Sequence, residues 1–126
     1  MSTNTIPSAS SHFITLTTAT GLTGKYRTDH NGILATAFQN QDILPLSETF
    51  NRADIETLLD QDGCEAMRIY YGMDGDDKVH AILVAVNEDN EDILPSQPDI
   101  DPGVDIILEE GQRCPIFCPP ASVLNS

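Results

Sequence analysis

At 126 residues the chain fits one ordinary domain, is too short for two, and can bury enough surface to need no metal or disulfide staple. Six Lys and Arg stand against twenty Asp and Glu, a formal net charge of −14. A field of that sign repels phosphate backbones and anionic lipid, so nucleic-acid and membrane partners are not expected. With no Trp and only 6% aromatic residues, a core must rest on Ile, Leu, Val and Ala.

Residues 1–11 are rich in Ser, Thr and Asn and read as a flexible arm. They carry no basic and apolar stretch of the secretory kind, and no run in the chain approaches the ~18 apolar residues of a membrane span. The expected address is cytoplasmic, and an odd count of three cysteines argues against a secreted disulfide scaffold. A single domain is expected over 12–110, followed by a Cys/Pro-rich tail over 111–126.

Ile14 and Leu16 alternate with Thr as in a strand, yet Leu16, Ala19, Leu22 and Tyr26 fall at near-helical spacing. Lys25 and Arg27 suit a last helical turn. The balance favours a helix over about 16–28, weakened by Gly21 and Gly24. Residues 33–38 form a short apolar run that reads as a strand. A clearer helix starts near Asn51, which can cap, with Asp54 near the positive end of the dipole. Ile55, Leu58 and Leu59 form its apolar stripe and Gly63 stops it.

The strongest pattern is a hairpin. Residues 65–71 and 78–87 are β-rich runs, and Asp74-Gly75 between them suits a tight turn because Gly tolerates φ > 0. That centring places His80 opposite Ile69 and Cys64 opposite Ala85. From Val79 to Val86 nearly every position is apolar, so both faces of this strand are expected to be covered, one by helices and the other by a second subunit. Asp92-Ile93-Leu94 suggests a brief strand, residues 95–102 a Pro/Asp linker, and 104–108 a last apolar run. The fold class is therefore α+β, a small antiparallel sheet around the hairpin with one or two helices on one face.

The run Gly63-Cys64, Arg68-Ile69-Tyr70-Tyr71-Gly72, a second apolar strand ending near Asn87, Asp92-Ile93-Leu94 and the C-terminal Cys-Pro-x-x-Cys resemble a group of small uncharacterised bacterial proteins. The resemblance covers about residues 13–118. It implies a bacterial cytoplasmic domain and no particular activity.

The segment Arg113-Cys114-Pro115-Ile116-Phe117-Cys118-Pro119-Pro120 is the most unusual. Three residues separate the cysteines, so this is not the Cys-x-x-Cys of thioredoxin-like pairs. Soft thiolates at that spacing can hold zinc or an iron–sulfur centre, or form a redox pair. The candidate metal ligands are Cys114, Cys118 and Cys64. On the expected register His80 lies ~16 Å from Cys64 along the ladder, too far to share a metal. His12 or His30 would supply the fourth ligand, or a second chain would. An inert tail is the alternative.

The acidic residues gather in two turns, Asp74, Asp76 and Asp77, then Glu88, Asp89, Glu91 and Asp92. Asp99-x-Asp101-x-Gly103-x-Asp105 resembles a calcium loop but lacks Gly at the sixth position and Glu at the twelfth. All three clusters read as solvated turns. The histidines have no nucleophile motif around them, and His80 reads as a hydrogen-bonded residue rather than a base. Arg68 and Tyr70 share one strand face, suited to pairing with a carboxylate across the sheet. The leading functional expectation is a non-enzymatic acidic protein-interaction domain, homodimeric through its sheet and without cofactor. The rival is a metal-binding (zinc) or thiol-redox protein using the C-terminal cysteines. A weaker third is a nucleic-acid mimic.

Overall fold

The computed structural model describes residues 5–95 and 106–125. In chain order they form α1 (Leu16–Asp29), a 3-10 turn (Thr36–Phe38), β1 (Ser47–Thr49), α2 (Arg52–Leu59), β2 (Ala66–Met73), β3 (Val79–Val86), β4 (Ile107–Leu108) and β5 (Gln112–Cys114). The class is α+β with small antiparallel sheets, as expected. The calcium-like segment around Asp99–Asp105 lies outside the described residues.

The described chain divides into two compact units. The first comprises residues 5–8, 50–72, 80–95 and 106–111 and carries the three-stranded sheet, in the order β2-β3-β4. Its core gathers Leu58 from α2, Leu83 and Ala85 from β3, and Ile106. Phe50, Ile55, Cys64, Ile93 and Leu108 pack around them. Asn51 begins α2 by accepting a hydrogen bond from the Ala53 N–H at 2.8 Å, so one orphan donor of the first turn is satisfied locally. Leu58 is fully buried, whereas Leu59, expected on the same stripe, is exposed.

Three expectations change. The 33–38 run contains a 3-10 turn rather than a strand, because Phe38 N–H turns back onto the Ala35 carbonyl at 2.8 Å. Asp92-Ile93-Leu94 contributes only an isolated bridge to Val86. Over the second half of β3 the cover of both faces is already intramolecular, Leu83, Val84, Ala85 and Val86 being buried, while Val79, His80, Ala81 and Ile82 are half-buried.

The hairpin is also wider than a two-residue turn. Asp77 N–H donates to the Asp74 carbonyl at 3.0 Å, and Asp74 N–H to the Lys78 carbonyl at 3.0 Å. The left-handed residue is Asp77 (φ 63°), not Gly75. This is the three-residue loop in which a type I turn is followed by one αL residue. The Asp74 carboxylate accepts from Asp76 N–H and Lys78 N–H, which fixes the loop without glycine. The register shifts accordingly: Glu65 N–H reaches the Val86 carbonyl, where the tight-turn centring set Glu65 opposite Val84. Residues 87–91 repeat the device. Asn90 N–H donates to the Asn87 carbonyl, Asn87 N–H to the Glu91 carbonyl, Asn90 takes φ 64°, and the Asn87 side chain accepts from Asp89 and Glu91.

The second unit comprises residues 9–49, 73–79 and 112–125. Here β1 pairs with β5, Ser47 facing Cys114, Glu48 facing Arg113 and Thr49 facing Gln112. The segment read as a tail thus supplies a strand. Helix α1 is capped by Thr15, whose hydroxyl oxygen accepts from the Thr18 N–H at 3.1 Å. It has no fully buried residue. Two long-range hydrogen bonds hold it instead: Tyr26 Oη donates to the Pro45 carbonyl at 2.7 Å, and Arg27 to the Leu124 carbonyl at 2.8 Å.

Candidate functional site

The cysteine loop is built on β5. Cys114 ends that strand, its carbonyl accepts from the Leu46 N–H at 2.8 Å, and it is 4% exposed. Phe117 N–H returns to the Arg113 carbonyl at 3.0 Å, which brings Cys118 back beside Cys114. The two form a disulfide with Cα atoms 4.5 Å apart. Cys118 is exposed, and so are Ile116 (80%) and Phe117 (62%) inside the loop. A cleft of roughly 580 Å³ opens at Cys114, walled by Leu22, Tyr26, Leu46, Pro119 and Leu124 among others.

Arg113 anchors the strand. Its guanidinium is buried and donates to the carbonyls of Val79 (3.0 Å), Asp42 (2.9 Å) and Ile43 (3.1 Å). Charge-assisted bonds of this kind are about twice as strong as neutral ones, so β5 is fixed just before Cys114. Burial pushes the Tyr26 phenol above its ordinary value, and the Arg113 cation pulls it partly back. Sequence reasoning missed Arg113. The available signal was that it is the single Lys or Arg after Lys78 in a strongly acidic chain.

Of the expected metal ligands, the structure brings together Cys114 and Cys118. A disulfide offers no thiolate, so a metal there requires the reduced pair. Cys64 belongs to the other unit, where it packs against the core and its thiol donates to the Ala66 carbonyl at 3.3 Å. His30 stacks on Tyr26 with ring centroids 4.9 Å apart, and its Nδ1 faces the Tyr26 carbonyl at 2.9 Å. His12 is exposed. His80 Nδ1 lies 3.0 Å from a Glu109 carboxylate oxygen.

The first unit presents a different feature on β2. Arg68 donates to Asp92 and to the Asn90 side chain and carbonyl, and Tyr70 Oη donates to Asp92. This is the cross-sheet carboxylate partner expected for the pair. The Asp92 contact raises both the Arg68 and the Tyr70 pKa, being the largest cause in each. Because Asp92 bridges to Val86, the even-numbered residues of β2 and β3 share one face. The odd-numbered ones lie on the face of Leu83 and Ala85. On that face Met67, Ile69 and Tyr71 are 40%, 45% and 77% exposed. They carry the core's apolar row out to the sheet edge, and β2 has a strand partner on one side only among the described residues. The sequence had shown an apolar strand in β3. It did not show that the uncovered apolar row would be on its neighbour.

No helix among the described residues is long and apolar enough to cross a membrane. No protein-family model, curated protein or solved structure matches the chain.

Proposed function

We propose that the protein is a non-enzymatic acidic interaction domain that pairs with a second copy of itself along β2. The observation that carries this reading is the exposed row Met67, Ile69 and Tyr71 on an edge strand. Exposed apolar edges are templates for strand addition unless something blunts them, and this row carries no charge.

The backbone geometry supports the same pairing. Asp74 N–H points to the carbonyl of Lys78, the residue before β3, so counting back within β2 the even-numbered residues turn their N–H and C=O toward β3; Glu65, whose N–H also reaches Val86, precedes that strand. The odd-numbered ones turn theirs toward the free edge. An antiparallel two-fold centred on Ile69 therefore pairs Ile69 with Ile69 and Met67 with Tyr71 of the second copy. The contact is self-complementary, as a two-fold dimer requires, and it joins two three-stranded sheets into one of six.

Sedimentation equilibrium tests this. The expected result is a dimer for the native sequence and a monomer with unchanged far-UV dichroism for Ile69→Lys, which sets like charges against each other at the axis. A native chain that stays monomeric to its solubility limit would falsify the pairing.

A further inference from the structure

We propose that the Cys114–Cys118 disulfide is a thiol–disulfide exchange site, with Cys118 the attacked and attacking sulfur and Cys114 the resolving one. The inference is independent of pairing along β2. A disulfide that serves stability joins elements distant in the chain or pins a core. This one spans a sequence separation of 4 within one segment, so it joins no two elements. The loop it closes buries little, with Ile116 and Phe117 both largely exposed. Opening the bond therefore sacrifices almost no packing, and a bridge over so short a loop removes less freedom from the unfolded chain than one over a long loop does.

The two sulfurs are unequal. Cys118 belongs to an exposed residue, while Cys114 is buried at the end of a strand held by the Leu46 bond and by the buried Arg113. An incoming thiolate reaches Cys118 and not Cys114. Its sulfur bonds to Cys118, the Cys114–Cys118 bond breaks, and the electron pair leaves on Cys114 as thiolate, which takes a proton from solvent. With a dithiol reductant, the second thiolate attacks its own sulfur in the mixed disulfide and expels Cys118. The reductant ends as a disulfide, and Cys114 and Cys118 end as thiols. The reverse sequence reduces a substrate disulfide, with Cys114 held on β5 to resolve the intermediate.

Two measurements test the assignment. The first is the rate at which dithiothreitol reduces the native protein, compared with the same protein in guanidinium chloride. Native reduction within about tenfold of the denatured rate is expected of an exchange site, and a larger protection means a structural bridge and overturns the proposal. The second places oxidised glutathione on the reduced variants, with the adduct located by peptide mass mapping so that Cys64 is read separately. Cys114→Ser should hold a stable mixed disulfide on Cys118, and Cys118→Ser should label Cys114 at least about tenfold more slowly. Equal rates in the two variants overturn the roles. The first measurement needs no variant, so a misfolded substitution does not decide the matter.

Discussion

Tyr26 shows how much of the second unit hangs on single polar side chains. Its hydroxyl bond to the Pro45 carbonyl ties α1 to the strand segment before β1, and α1 buries no residue fully. Tyr26→Phe should cost about 1 kcal/mol in urea denaturation, the usual net worth of one hydrogen bond. The variant also carries a pH signature. Because burial raises the phenol above 10.0, the folded state holds that proton more tightly than the unfolded one. The associated stability is complete below pH 10 and is lost as pH rises through the folded value. Wild type should therefore lose stability above pH 10 more steeply than Tyr26→Phe, and equal slopes would remove the argument. Little of this was legible in the sequence. Tyr26 stood out only by helical spacing, and its partner lies nineteen positions away on a carbonyl that any residue could offer.

Elements were more legible than contacts where a local rule set them. Asn51 and Asp54 announced α2, and the hairpin strands were visible from apolar content alone. The turn between them was misjudged because Asp-Gly was given a two-residue geometry, whereas the Asp74 carboxylate organises a three-residue loop. The same logic separates two glycines. Gly63 stands at φ 82°, whereas Gly75 has no positive φ, and a Cβ added there would meet no atom within 4 Å. Gly63→Ala should destabilise by about 1–2 kcal/mol, since an L-residue in the left-handed region crowds its own carbonyl. Gly75→Ala should be neutral or stabilising by up to about 1 kcal/mol, through reduced freedom of the unfolded chain. Thermal melts of the two variants decide it, and a similar loss in both would place the left-handed residue wrongly.

At the scale of the whole molecule, charge works against self-association. Two copies at −14 each repel, and the repulsion is screened within about 8 Å at physiological ionic strength. Pairing along β2 should therefore tighten as salt rises, the opposite of an interface built on ion pairs. Sedimentation at low and high sodium chloride measures it, and weakening with salt would point to an attractive charged contact instead of Met67, Ile69 and Tyr71. The proposed thiol-exchange site at Cys118 lies in the other unit.

The sequence by itself determined the class of fold, the cap and start of α2, the two apolar strands and the acidic turns, because each follows from interactions among residues a few positions apart, although α2 ends at Leu59, before the expected stop at Gly63. It also singled out the Cys114–Cys118 segment, because two thiols three residues apart are unusual wherever they fall. Only the tertiary structure decided that this segment forms a strand with Ser47–Thr49, that Cys114 is buried while Cys118 is not, and that the uncovered apolar row lies on β2. Those are questions of which surface meets which, and burial is a property of the packed chain rather than of any local stretch of it.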